Sequence, residues 1–483
     1  MSAASIRSLV KDSVIYGVSG VIGRSMGLLL LPVLTYLLTP TELLHYRNSY
    51  ALIGLLQLVL MFGMGNSLVR YLIDADDESR VFSSHFWPLI TVSTIGSALL
   101  FFMAPRLASV YFAETLPGDI LLIRLSAAII WLETVNILPY SLLRAKQRPW
   151  TYSGMLMLSV AIYGSLVLFL MGFRHVGMTG VLIANTVGSA VVAILFIPMT
   201  LRYLRPVFDS SLFRIYFAFG FPMIFSSLGK TLLDWADRVI LDHMKGGEVA
   251  GIYTAGYQLG AIANLAVSSF TLAWKPYLVR AAKEPGAERT FARIMTLTVA
   301  MLALLFLAVS LLADDLVAFE FFGYHLIESR YWSGLQVIPV VLASYVFYGV
   351  YINLTVGCDL AGRTHYYAWT TGIAAAFNIS LCFLLIPSMG MMGAAWATLA
   401  AYALLAGLLY FLTRKFYPVT YQWGRMALAL AVAVALYLGC MRLEVLVGGS
   451  WGRIALELAA IALFAVLLLF SGTINIKKIL SNT

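Results

Sequence analysis

Charge is scarce in this chain of 483 residues: Asp, Glu, Lys and Arg together make up 11% of it, against 61% hydrophobic residues. Water-soluble domains carry about 25% charged and roughly 45–50% apolar residues. A soluble globular fold is therefore excluded, and so is a disordered chain. Cysteine is nearly absent. Cys358, Cys382 and Cys440 all fall in or at apolar segments, with no CxxC spacing and no histidine partner. That excludes a disulfide scaffold and a metal cluster, and leaves the three as packing residues. The six histidines fall at helix edges or in loops, which argues against a histidine proton relay in the core. No HExxH, no nucleophile elbow and no soluble insertion of domain size is present. Leu228-Gly-Lys-Thr231 ends like a phosphate-binding loop, but Ile224 stands where its first glycine belongs and the stretch is buried in an apolar run. Nucleotide hydrolysis and glycosyl transfer have no domain to live on, so the chain reads as a non-enzyme without a cofactor.

What the sequence has instead is long apolar runs and a mean hydropathy of +0.88. One helical crossing of a bilayer needs about 20 mostly apolar residues. About fourteen such segments can be drawn, at 12–38, 46–73, 86–104, 119–141, 151–173, 176–201, 214–240, 249–274, 292–312, 331–357, 366–386, 391–413, 421–441 and 452–472. Residues 150–173 and 176–201 carry no charge, and 364–413 form a 50-residue stretch without Asp, Glu, Lys or Arg. That stretch is long enough for two crossings, broken at Pro387-Ser388-Met389-Gly390. The first apolar stretch is too long for a signal-peptide core and reads as a retained first helix. The expected fold is an all-α polytopic membrane protein. Its net charge of +9 follows the positive-inside rule rather than indicating nucleic acid. With the N-terminus in the cytoplasm, 21 Lys and Arg fall in inside loops and 8 in outside loops, which places both termini inside.

The halves resemble each other. Gly23-Arg24 matches Gly229-Lys230 at an offset of 206, Tyr46 to Tyr50 matches Tyr253 to Tyr257 at 207, and Gly177-Met-Thr-Gly180 matches Gly390-Met-Met-Gly393 at 213. The repeat predicts an N-terminal lobe over 1–205 (helices 1–6) and a C-terminal lobe over 206–415 (helices 7–12). Helices 13–14 and a cytoplasmic tail follow over 416–483. A unit of six helices keeps its orientation in the membrane, so the lobes would be related by an axis along the bilayer normal, the design of alternating-access transporters.

An ionisable side chain at mid-bilayer faces a cavity or a partner. Arg24 lies about fourteen residues, or ~21 Å, from the outer end of helix 1, and Lys230 is its repeat equivalent. Together they would make a cationic chamber suited to a diphosphate, with Arg as a planar donor fork and Lys as a mobile point charge. The competing reading neutralises them locally: Lys230, Asp234 and Arg238 are spaced i, i+4, i+8 on one face, and Glu133 is placed to pair with Arg24. Asp237 and Arg238, near the outer end of helix 7, read as a gate or a fold pin. Arg70, at the inner end of helix 2, reads as a lipid-phosphate portal or a snorkelling side chain. Gln57, Asn136, Asn185, Asn264, Asn353 and Asn378 read as interhelical glue. Tyr345, Tyr348 and Tyr351 share one face of helix 10, where they either pack or stack on sugars.

Several short motifs carry a family likeness. Asp12-Ser-Val-Ile-Tyr-Gly17, Leu31-Pro32, Leu38-Thr-Pro40 and Phe62-Gly-Met-Gly-Asn-Ser-Leu-Val-Arg70 stand in the first half; Phe219-Gly-Phe-Pro222, Asp237-Arg238, Gly251-Ile-Tyr253 and Ala273-Trp-Lys-Pro276 stand in the second. Over about residues 10–415 the chain resembles the bacterial polysaccharide transporter (Wzx-type O-antigen flippase) family. One departure is that Glu42-Leu-Leu-His-Tyr46 lacks the usual glycine of the first outer turn. The resemblance implies a fold of the multidrug/oligosaccharidyl-lipid/polysaccharide exporter (MOP) type in the bacterial cytoplasmic membrane. It implies an undecaprenyl-diphosphate-linked oligosaccharide as substrate, moved from inner to outer leaflet for O-antigen or exopolysaccharide synthesis. Membrane lipids, a polymerase and glycosyltransferases are the implied partners. Outward movement of negative charge is downhill by ~2.3 kcal/mol per charge per 100 mV, with proton or sodium coupling through Glu133 or Asp234 as an option. The rival readings are a cation-coupled multidrug exporter, a lipid II flippase and a non-transporting scaffold of a polysaccharide synthase.

Overall fold

A computed structural model describes residues 19–23, 25–72, 75–321, 323–443 and 450–470. Apart from a hairpin of two two-residue strands, its regular structure is helical. By contacts the chain forms two compact units, Met1–Thr254 and Ala255–Thr483.

The first unit opens with α1 (Leu31–Leu37) and α2 (Pro40–Met61). The start of α2 is written in the sequence. Pro40 fits the first turn, the Thr39 hydroxyl accepts from the Glu42 amide at 3.3 Å, and the Glu42 carboxylate accepts from the Thr39 amide at 2.9 Å. This capping box lets the helix run straight through the segment that lacks the family glycine. The helix stops at Phe62 (φ 28°) and Gly63 (φ 70°), left-handed positions that cannot continue it, and α3 (Met64–Leu72) resumes. Next come α4 (Glu78–Tyr111), α5 (Asp119–Ala145), α6 (Pro149–Val167, carried on as a π-turn to Phe173) and α7 (Met178–Tyr203). Then α8 (Ser210–Leu233) packs on α2, α3 and α4. The Asp209 carboxylate caps α8 by accepting from the Ser211 and Leu212 amides, and it also takes Arg80 at 2.5 Å. Phe62 at the break joins Met64, Leu68, Phe82, Leu89, Leu138 and Tyr216 in a core shared by α3, α4, α5 and α8. The short helix α9 (Ala236–Lys245) follows, and α10 (Gly247–Gly260) carries the boundary between units.

The second unit contains α11 (Ile262–Ala281), α12 (Ala287–Ala318), the hairpin β1 (Glu320–Phe321) and β2 (Tyr324–His325), and a 3-10 turn (Ser329–Val337). It continues with α13 (Ile338–Leu360), α14 (His365–Met389), α15 (Met391–Thr413), α16 (Trp423–Leu443) and α17 (Ser450–Phe470). The turn expected at 387–390 is present. Gly390 has φ 56°, and a Cβ at Gly393 would stand 2.5 Å from the Leu385 carbonyl oxygen, so the chain reverses there with no room for a side chain. Large apolar residues such as Phe102, Phe173, Leu384 and Phe470 lie on the outside, the surface a bilayer covers.

Ten helices of the described residues are long and apolar enough to cross a membrane. The expected count of fourteen is not confirmed among the described residues, where four of the segments yield no candidate span. Segment 12–38 lies partly outside the described residues. Segments 46–73, 214–240 and 249–274 are interrupted at Phe62–Gly63, Asp234–Trp235 and Ala261.

Candidate functional site

Two polar clusters stand out in the first unit. The first surrounds Glu133, near the middle of α5. Gln57 of α2 donates its amide to the Glu133 carboxylate at 2.6 Å, and Asn185 and Ser189 of α7 lie against the same carboxylate. Asn136, one turn along, donates to the Ser189 carbonyl oxygen at 3.0 Å. Two of the amides read as interhelical glue, Gln57 and Asn185, thus converge on one carboxylate, and a third, Asn136, ties α5 to α7 beside it. Arg24, its expected cationic partner, lies outside the described residues, as does Asp12–Gly17; the side chains of Phe219–Pro222 are not described either.

The second cluster follows the chain through the break between α8 and α9. Lys230, in the last turn of α8, donates to the Asp234 carboxylate, and the two side chains are 22% and 31% exposed. Asp234 ends the helix, and Trp235 (φ −143°) turns the chain away. Asp237, three residues on, is completely buried. Its carboxylate accepts from the Tyr253 hydroxyl at 2.6 Å and from the Arg238 amide at 2.8 Å. The Trp235 indole donates to the Asn48 side chain at 3.3 Å, and the Tyr111 hydroxyl donates to the Asn48 carbonyl oxygen at 2.9 Å. A Cβ at Gly251 would stand 1.9 Å from the Pro40 carbonyl oxygen, so α10 meets α2 at a point only glycine allows. Three motifs of the family likeness, Thr39-Pro40, Asp237-Arg238 and Gly251-Ile-Tyr253, therefore meet at one end of the unit.

The same end holds a pair that the sequence did not reveal. His45 of α2 and Asp119 of α5 are buried 2.8 Å apart, with the imidazole stacked on Phe112 at 4.1 Å. Asp242 of α9 lies beside them, 1% exposed, and accepts from the Ala113 amide at 3.3 Å. Burial pushes the Asp242 carboxyl above the usual carboxylate range, against the pull of the Ala113 N–H and of His45. A position near a helix edge does not keep a histidine at the surface here. His45 and His85 lie near helix ends yet are completely buried, with His85 stacked on Tyr216 at 3.9 Å. Their helix-end positions gave no sign of the neighbours that cover them.

The other candidates stand apart. Arg70, exposed in the last turn of α3, sits 5.8 Å from the Tyr71 ring centroid. In the second unit, Tyr345 and Tyr351 are buried. Tyr345 meets the Tyr257 hydroxyl at 3.2 Å, and the rings of Tyr345, Tyr348, Tyr351 and Tyr402 lie 5.4–6.4 Å from their neighbours. Asn378 reaches Thr398 across the α14–α15 contact at 3.4 Å. No grouping of His, Cys, Asp and Glu among the described residues has the makings of a metal site.

The sequence profile of the polysaccharide biosynthesis protein family matches residues 9–282, more than half of the chain. The chain belongs to that family. All the family-like motifs named above fall inside the matched stretch. No curated protein matches the sequence. Among solved structures, the lipid II flippase MurJ in an inward closed conformation superposes with a TM-score of 0.75 at 13% identity, covering 95% of this chain and 99% of that one. An inward-facing multidrug resistance MATE family transporter of the MOP superfamily gives 0.66 at 13% identity, covering 86% and 95%. A MOP superfamily transporter from Pyrococcus furiosus, described as having a binding pocket of reverse polarity, gives 0.56 at 14% identity, covering 84% and 95%. This family member thus has the MOP fold.

Proposed function

We propose that the protein is a flippase that carries an undecaprenyl-diphosphate-linked oligosaccharide from the inner to the outer leaflet of the bacterial cytoplasmic membrane, for surface polysaccharide synthesis. The lobes that alternate are the sequence-repeat halves, 1–205 and 206–415, with 416–483 appended. Arg24 and Lys230 hold the diphosphate. The observation that carries this reading is the Lys230–Asp234 pair: a cation at the end of a broken apolar helix, partly open to solvent and ion-paired with a carboxylate. A diphosphate competes with a carboxylate for an ammonium, because it brings more charge and more acceptor oxygens. Substrate arrival then frees Asp234, which with Glu133 forms the route for a coupling ion. The helices of segments 46–73 and 249–274, the second segments of the two repeat halves, break at Phe62–Gly63 and Ala261, and that of segment 214–240 breaks at Asp234–Trp235. Interrupted helices at corresponding places in two halves are the usual mark of a transporter's binding site. Asp237 and Arg238 belong to the gate that closes the outer end, Arg70 to the inner portal, and Tyr348 to the wall facing the sugars, with the buried Tyr345 and Tyr351 packed behind it. Family membership favours a saccharide lipid over a cationic drug, and glycosyltransferases and a polymerase are the enzymes that would make and consume it. The cycle needs no enzymatic chemistry from this chain.

The test is surface polysaccharide in cells carrying single variants. Arg24→Ala and Lys230→Ala each abolish the polymer at normal protein level, and Arg24→Lys restores part of it. Normal polymer in both alanine variants overturns the diphosphate reading.

A further inference from the structure

At one end of the second unit a cavity of about 450 Å³ opens between α12, the 3-10 turn, the start of α13 and the last turns of α16. Two aromatic rings, Trp332 and Tyr437, share its wall with Asp314, Gln336 and Ser310. The rings are fixed from behind. The Trp332 indole donates to the Ile327 carbonyl oxygen at 2.9 Å, and Tyr437 stands edge-on to Phe306 at 5.9 Å. Two of the polar groups have spare capacity. The Ser310 hydroxyl is buried with no hydrogen-bond partner among the described residues, and the Gln336 amide meets only the Met391 sulfur, a weak acceptor, at 3.4 Å.

Among the described residues, Asp314 is the one charged residue of the cavity wall. Asp315, next in sequence to Asp314, is bound by Arg453 of α17, and Glu457, one turn beyond Arg453, is buried. Asp315 thus engages the nearby guanidinium, and Asp314 faces the cavity. A carboxylate beside aromatic faces is the chemistry that recognises an alkylammonium, by charge and by cation–π attraction. A neutral saccharide has no use for a carboxylate in the wall. Depth narrows the choice of ligand. Asp314 is four residues from the end of α12 and Tyr437 six from the end of α16, which is ~6 and ~9 Å along the axes at 1.5 Å per residue. That is the interfacial level of a membrane, where Trp and Tyr collect and lipid headgroups reside.

We propose that this cavity binds the headgroup of a zwitterionic phospholipid. Asp314 is the counter-ion of its ammonium, Trp332 and Tyr437 are the cation–π walls, and Gln336 and Ser310 donate to its phosphate. The site stands whether or not the chain flips a saccharide lipid, because it needs only that α12 and α16 cross a bilayer.

The test uses the full chain in nanodiscs of phosphatidylethanolamine and phosphatidylglycerol, released for native mass spectrometry. The wild type retains phosphatidylethanolamine in preference to phosphatidylglycerol. Asp314→Asn and Tyr437→Leu each lower that retention roughly tenfold, while Trp332→Phe, which keeps a ring, stays near wild type. Unfolding midpoints in phosphatidylglycerol alone establish that each variant is folded. Equal retention of the two lipids by the wild type, unchanged retention in a folded Asp314→Asn or Tyr437→Leu variant, or displacement of the lipid by free oligosaccharide overturns the proposal.

Discussion

Asp234 and Asp237 are three residues apart, yet they occupy opposite environments. Asp234 is 31% exposed and holds a lysine; Asp237 is completely buried and holds a tyrosine hydroxyl and a backbone amide. A buried carboxylate with matched donors is costly to disturb, because its partners are left unsatisfied away from water. A partly exposed ion pair is cheap to open, because water replaces either partner. The first suits a pin that fixes α9 against α10. The second suits a site that must exchange one anion for another.

Substitutions break or sharpen this contrast, and the largest effect lies on the pinned side. Gly251→Ala drives a methyl group into the Pro40 carbonyl oxygen, backbone that cannot step aside. The α10–α2 contact cannot form, and the protein should be lost from the membrane fraction, as an immunoblot will read. Next come the two aspartates themselves. Asp237→Ala should cost about 1–3 kcal/mol by stranding the Tyr253 hydroxyl and the Arg238 amide, and Asp234→Ala no more than about 1 kcal/mol. Unfolding midpoints of the purified variants compare them directly; equal losses would erase the distinction drawn between the two carboxylates. The smallest effect depends on pH. Burial raises the Asp242 carboxyl, so the fold favours its protonated form. That stabilisation is complete below the ordinary carboxylate pKa and is lost as pH climbs through the raised one. Asp242→Asn mimics the protonated state and still accepts from Ala113. It should raise the unfolding midpoint near neutral pH and change it little in acid.

Much of the fold was legible because membrane helices announce themselves by composition. The charge-free runs at 150–173, 176–201 and 364–413 all became spans, and the turn at 387–390 fell where Pro and Gly put it. Helix breaks were not legible, since hydropathy averages over a window and does not register a single left-handed residue such as Phe62. The same division holds for the candidate site. Lys230–Asp234 was readable as an i, i+4 pair because helix geometry alone brings its members together. His45–Asp119 joins residues 74 apart, and the Glu133 cluster draws on three helices. No local pattern encodes such meetings, which arise only when helices pack.

The central claim is that Lys230 binds a diphosphate, and binding of undecaprenyl diphosphate to the purified full chain in detergent tests it most directly, with undecaprenol as the uncharged control. The account predicts that the wild type prefers the diphosphate, that Lys230→Ala removes the preference, and that Lys230→Arg regains it. A folded Lys230→Ala protein that still selects the diphosphate over the alcohol as strongly as the wild type would contradict it.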